Sequence, residues 1–224
     1  MHVDILGVGN AFSGPVSTSL IVDLNGKSIL VDAGYGVYEV LKENDYLEEI
    51  DTIFISHTHE DHIASLGAIL NDLRYIKKIK LPRIVAHEQV ARMLESYLRV
   101  IGFPDIQVYT CFMPFVKAHH TIPCYGIVIR DNEKDEAIIY TGDTKCSKEI
   151  YDVWYKYRKR YDVTIYHDCQ IMNIDPPNGL ASPHATWKEI ALAYPDEMLE
   201  CIRGVHHGMG GDIVKPFRLA QPTI

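Results

Sequence analysis

At 224 residues, with 47% hydrophobic and 23% charged side chains, the chain can bury one sizeable core, and its ordinary composition counts against disorder or a fibrous repeat. A formal charge of -8 counts against long nucleic-acid backbones as partners, because that binding rests on clustered Lys and Arg. No apolar run reaches bilayer-crossing length, and residues 1–10 lack the basic and apolar parts of a secretion signal, so one cytoplasmic domain over residues 1–224 is expected.

In chain order, HVDILGVGNAF reads as a buried strand, and SLIVDLNGKSILVDAG as two strands turning at Asn25 and Gly26, a favoured hairpin pair. Gly7, Gly9 and Gly14 loosely follow a dinucleotide-binding loop, but a hairpin follows where that loop needs a helix. A short helix over Val37–Glu43 leads to the apolar strand IDTIFISH, and the spacing predicts an amphipathic helix over Asp61–Leu73. A strand at Pro82–Ala86 and a helix over Glu88–Val100 precede GFPDIQVYTCFMPF, an aromatic stretch without periodicity. KAHHTIPCYGIVIR and EAIIYTGD read as a strand pair around a charged turn, followed by a helix and the strand DVTIYHDC. Lys156–Arg160 reads as the solvated face of a helix. A loop from Gln170 to Pro183 precedes a helix over Thr186–Ala193, and CIRGVHH closes the series as a last strand. The five cysteines (Cys111, Cys124, Cys146, Cys169, Cys201) form no CxxC pair, so a reduced, mostly buried set is expected rather than a disulfide framework or thiolate zinc site.

HTHEDH concentrates the chemistry. His57 and His59 alternate along a strand end while Asp61 and His62 begin a helix, so a tight turn can gather four donor side chains. Imidazole mixed with carboxylate suits zinc, manganese or iron better than calcium or magnesium. A polar loop that merely caps a helix explains neither the density of donors nor their place after an apolar strand.

HTHEDH resembles the HxHxDH signature of the metallo-β-lactamase fold superfamily, and later segments follow in the family's order. The resemblance implies an α/β fold, the αββα sandwich: two mixed β-sheets packed face to face with helices on the outer faces. It implies two divalent cations, zinc or manganese: His57, His59 and His120 on one, Asp61, His62 and His206 on the other, and Asp143 bridging them. Gly126, six places after His120, matches the family's spacing and favours His120 over His119; VHHG favours His206 over His207. Asp32 in LVDAG is similar to a family aspartate that supports the metal loop, whereas His2 and His87 match nothing in the pattern.

The reaction class rests on YHDC (Tyr166–Cys169) and SPHAT (Ser182–Thr186), which resemble paired motifs of the tRNase Z and phosphodiesterase branch. There an acidic residue orients a histidine near phosphate, here Asp168 and His184, with His184 as general acid. Hydroxide held between the cations would attack phosphorus, with Asp61 helping to orient it. Only a short charged hairpin separates His120 from Asp143, where tRNase Z carries a long tRNA-gripping arm. The compact layout therefore looks most like cyclic-nucleotide phosphodiesterases, including viral anti-Pycsar proteins that destroy cyclic CMP and cyclic UMP. That likeness implies a homodimer, in the host cytoplasm if viral, with Phe103, Tyr109, Phe112 and Phe115 as core, lid, partner contact or base-stacking surface. A thioester or lactam hydrolase, an RNA-processing nuclease and a non-catalytic metal-binding protein are the other readings.

Overall fold

A computed structural model describes residues 1–110, 114–171, 182–207 and 218–224. The chain divides into two compact units, Met1–Phe112 with Gln221–Ile224, and Met113–Ala220.

In the first unit the described residues form β1 (His2–Gly7), β2 (Ser19–Leu24), β3 (Lys27–Val31), α1 (Val37–Glu43), β4 (Ile50–Phe54), α2 (Glu60–Ile63), α3 (Leu66–Asn71), β5 (Arg83–Val85), α4 (Glu88–Val100) and β6 (Val108–Tyr109). The strands make one sheet in chain order. β1, β2 and β3 pair antiparallel, and β3 through β6 pair parallel. The turn between β2 and β3 is the expected one: Asn25 and Gly26 both have positive φ (50° and 73°), and Leu24 faces Lys27. α4 also matches its pattern. It buries Val90, Ala91, Leu94 and Leu98 along one face, and His87 caps it by accepting the Gln89 N–H.

The helix expected over Asp61–Leu73 is broken into α2, α3 and a π-helical turn over Asp72–Lys77. Long-range bonds interrupt it: the Ser65 N–H donates to the Ala33 carbonyl and the Ala33 N–H to the His62 carbonyl, each at 2.8 Å. Backbone groups that a continuous helix would use are thus committed to the loop after β3.

In the second unit the described residues form β7 (Phe115–Lys117), β8 (Tyr125–Asp131), β9 (Glu136–Tyr140), α5 (Lys148–Tyr157), β10 (Asp162–Asp168), α6 (Trp187–Ala193), α7 (Asp196–Leu199), β11 (Ile202–Val205) and β12 (Arg218–Leu219). β7, β8 and β9 pair antiparallel; β9, β10, β11 and β12 pair parallel. Two expectations are corrected. Residues 118–124 leave the strand because the Ala118 N–H turns back to the Cys124 carbonyl and the His119 N–H donates to Thr144 Oγ1. β11 is also not last: the two-residue β12, too short to show periodicity, pairs beside it.

The core of this unit joins sheet residues such as Val128, Ile139 and Ile165 to Ile150, Trp154, Ile190 and Met198 of the helices. Burying each such side chain contributes about 2 kcal/mol before chain entropy is counted. Lys156, Arg158, Lys159 and Arg160 are solvent-exposed while Tyr157 is buried. Phe103 is buried in the first unit under the Arg74 guanidinium, Tyr109 is exposed, and Phe115 stands 6.5 Å from the Tyr125 ring. Phe112, Cys111 and residues 172–181 of the Gln170–Pro183 loop lie outside the described residues. Cys124 and Cys169 are buried and Cys146 and Cys201 half-buried; Cys146, Cys169 and Cys201 are free thiols. Among the described residues no helix is long and apolar enough to cross a membrane.

Candidate functional site

Both sheets deliver polar side chains at the C-terminal ends of parallel strands, where α/β folds place ligands. In the first unit Asp32 follows β3, and HTHEDH follows β4, which ends at Phe54. His57 and His59 therefore stand in the loop and not on the strand. His59 is the N-terminal boundary residue of α2, and Asp61 and His62 lie in its single turn. Gly34 makes the close approach possible: a Cβ there would lie 1.8 Å from the Asp61 carbonyl oxygen.

The loop is held by hydrogen bonds rather than by helix propensity. The fully buried Asp32 carboxylate accepts the Ser56 N–H (2.7 Å), the Ser56 hydroxyl (2.7 Å) and the His62 Nδ1–H (2.8 Å). Ser56 Oγ lies 3.0 Å from His57 Nδ1, and His57 Nε2 lies 3.1 Å from His59 Nδ1. His62 Nε2 lies 3.6 Å from the buried Asp61 carboxylate, and the His57 and His62 rings are 4.1 Å apart. His2 and His87 stand apart from this set, His2 against Asp4 and His87 at the start of α4.

In the second unit the parallel register of β9, β10 and β11 brings the turn after β9, the end of β10 and the residue after β11 to one edge. Asp143 Oδ2 faces three imidazoles: His206 Nε2 at 3.4 Å, His184 Nδ1 at 3.8 Å and His120 Nε2 at 4.0 Å. Asp168 Oδ2 accepts the Thr144 N–H and the His184 Nδ1–H, each at 2.8 Å, and Asp168 Oδ1 lies 3.4 Å from His206 Nδ1. The His184 and His206 rings stack at 4.8 Å. Donor atoms of Asp143, Asp168, His184 and His206 all lie within 4.8 Å of one another, a group able to hold a metal ion.

The two histidine doublets diverge. The His120 side chain is 2% exposed beside Asp143, whereas His119 is 53% exposed beside Glu149. His206 faces the two aspartates with a left-handed backbone (φ 63°), while the His207 Nε2–H donates to the Ala220 carbonyl at 3.0 Å. Gly126 has its own steric reason, since a Cβ there would lie 2.1 Å from the Tyr140 carbonyl oxygen.

The donor chemistry fits divalent transition metals. Two donors about 2.1 Å from a tetrahedral ion sit roughly 3.4 Å apart, which is the His206–Asp143 separation. Burial pushes the His184 imidazole pKa down, but its hydrogen bond to Asp168 and the charges of Asp168 and Asp143 outweigh that and leave it raised. Burial likewise pushes the Asp168 carboxyl up, and the hydrogen bonds and charges of His184 and His206 overcome it, holding the carboxyl below its ordinary range.

Ser56 and Thr144, which hold Asp32 and Asp168, escape sequence inspection because small hydroxyl residues occur in most loops. So does His167. Its neighbour in HD is a cue, since adjacent strand residues face opposite sides of a sheet.

The sequence profile of the family described as anti-Pycsar protein Apyc1 matches residues 1–101 and 98–215. The chain belongs to this family. Anti-Pycsar protein Apyc1 of Bacillus phage BSP38 is 24% identical over 241 residues, covering 92% of this chain and 89% of the phage protein. Among solved structures, the metallo-β-lactamase fold protein YhfI of Bacillus subtilis aligns with a TM-score of 0.73 at 18% identity, over 93% of this chain and 87% of that one. Human tRNase Z, short form, aligns with a TM-score of 0.68 at 18% identity, covering 93% of each chain. The Apyc1-family chain therefore has the metallo-β-lactamase α/β sandwich fold, with two mixed sheets, on which it carries residue groups able to bind divalent metal.

Proposed function

We propose that this protein is a two-metal phosphodiesterase that hydrolyses small phosphodiesters, foremost the 3',5'-cyclic nucleotides cyclic CMP and cyclic UMP, in viral evasion of cyclic-nucleotide defence. Membership of the Apyc1 family carries this reading, because the profile spans the HTHEDH motif together with Asp143, Asp168, His184 and His206. The two units would act as one metallo-β-lactamase domain. His57, His59 and His120 would hold one cation and Asp61, His62 and His206 the other, with Asp143 shared; zinc fits these donors best and manganese next. When bound, such ions lower the pKa of water and stabilise charge on phosphate oxygens.

The remaining steps fall to side chains. Asp168, buried and anchored by the Thr144 N–H, fixes His184 with its proton on Nδ1. Nε2 is then the nitrogen that exchanges a proton with substrate, and the Asp168 carboxylate on Nδ1 favours the protonated ring that a general acid needs. His184 would deliver that proton to the ribose oxygen as its bond to phosphorus breaks. Asp61 would orient the attacking water. The hairpin between β8 and β9 holds only residues 132–135, with Asp131 Oδ1 accepting the Glu133 and Lys134 N–H groups, which supports a small substrate over structured RNA. A homodimer in the host cytoplasm completes the reading.

The test is a substrate panel with zinc- or manganese-loaded protein: cyclic mononucleotides, linear dinucleotides, structured RNA, a β-lactam and a thioester. Cleavage of cyclic CMP or cyclic UMP is expected, with loss of turnover in His184→Ala. Cleavage of only the lactam or thioester sinks the proposal. Sedimentation equilibrium reads the oligomeric state.

A further inference from the structure

Behind Asp168 the structure holds a buried hydrogen-bond chain that the proposed chemistry does not use. His167 precedes Asp168 on β10, so its side chain points to the opposite face of the sheet. The ring is fully buried, with Nδ1 2.7 Å from the Asp168 carbonyl oxygen and Nε2 3.2 Å from the Tyr194 hydroxyl. A carbonyl can only accept, so Nδ1 carries the proton and the Nε2 lone pair accepts from Tyr194 O–H. The Tyr194 oxygen in turn accepts the Ser147 N–H at 3.0 Å. The Tyr194 hydroxyl also meets the Cys146 thiol, but with Nδ1 as donor to the carbonyl the neutral ring can only accept at Nε2.

Its ends lie at useful places. Ser147 caps the start of α5 through its hydroxyl, and Tyr194 stands at the end of α6, the helix that follows His184. At its other end the chain grips the backbone of the residue whose carboxylate reaches Thr144 and His184. The Asp168 N–H is held by Thr141 Oγ1 at 3.1 Å, so the His167 contact completes the clamp on both sides of that residue.

We propose that Tyr194 and His167 are positioning residues for the Asp168–His184 pair, acting through the Asp168 backbone. Without the Tyr194 hydroxyl, a fully buried His167 Nε2 loses its donor, the ring is free to turn, and the Asp168 carbonyl loses its partner. The carboxylate then presents His184 less well, and small misplacements of a reacting group are costly to rate. The inference rests on the acid role given to His184.

Tyr194→Phe keeps the ring and removes the hydroxyl. With cyclic CMP and metal-loaded protein, kcat should fall about tenfold, with KM and bound metal unchanged. Tyr161→Phe removes another core hydroxyl, bonded to Asn132 at 2.6 Å, and should leave kcat alone. In a His184→Ala background Tyr194→Phe should cause no further fall, since both act on one step. His167→Asn, which keeps an N–H donor, should recover part of the rate lost in His167→Ala. In histidine-labelled protein, the NMR signal of the His184 Nδ1 proton should move in Tyr194→Phe and stay in Tyr161→Phe.

Unchanged kcat with an unmoved His184 signal in Tyr194→Phe overturns the proposal, as does an additive loss in the double variant or equal loss in the two His167 variants. Wild-type turnover in His184→Ala would instead remove the acid role. The His184 signal would then decide the positioning by itself, a shift upholding it and no shift ending it.

Discussion

Three hydrogen bonds converge on the buried Asp32 carboxylate, two from Ser56 and one from His62. They fix which His62 nitrogen carries the proton and leave Nε2 turned toward Asp61. Asp32→Asn keeps the size and tolerates the left-handed backbone (φ 60°) but weakens that grip. Zinc affinity, measured by competition with a chelator, should fall about 10- to 100-fold. The final doublet separates two kinds of loss. His206→Ala should lower bound metal with little loss of stability, whereas His207→Ala strands the buried Ala220 carbonyl and should cost about 1–3 kcal/mol in urea unfolding with metal content retained. Cysteine reactivity is a further check at this scale. Burial pushes the Cys146 and Cys169 thiols up to about 12. Little thiolate is therefore present at pH 8, and their alkylation by iodoacetamide, followed by peptide mass, should be slow in folded protein, quicken as pH rises, and become fast in urea.

Among the elements, α4 was readable in advance because its burial stripe, its cap and its length agree. The segment after β4 was not, since hydrogen bonds to Ala33 override the local pattern and break the helix. That break presents His59, Asp61 and His62 around one short turn instead of along a helix face. Gly34→Ala tests the arrangement, because the new methyl would collide with the Asp61 backbone. The expected cost is about 1–3 kcal/mol, or roughly 3–10 °C in Tm by calorimetry. An unchanged Tm would show that α2 does not depend on that approach.

For the whole molecule, a fold shared with YhfI and tRNase Z leaves the substrate open, so function has to be argued from the site. Metal provides a global readout: zinc at 100 times its Kd should stabilise the protein by about 2.7 kcal/mol, reversed by chelation. Acid provides another. Burial depresses the His167 pKa, so the unfolded chain binds the proton more readily than the folded one. This contribution to stability is present above the unfolded histidine pKa, near 6.5, and is lost as pH falls below it. Metal-free His167→Asn should therefore lose less stability between pH 7 and pH 5 than the wild type, measured by urea unfolding. Equal losses would show that His167 is not held neutral.

The sequence by itself determined the donor types, their order and their delivery by strand ends, because HTHEDH, GD, HD and HH each follow an apolar run that has to be a strand. Only the tertiary structure decided which histidine of each doublet is buried among carboxylates, where the helix after β4 breaks, and that Tyr194 reaches back to His167. Those outcomes depend on partners far along the chain: Thr144 for His119, Ala220 for His207, Ala33 for Ser65. Local spacing carries the period of an element, but the direction of a single side chain or hydrogen bond is set by what packing brings beside it.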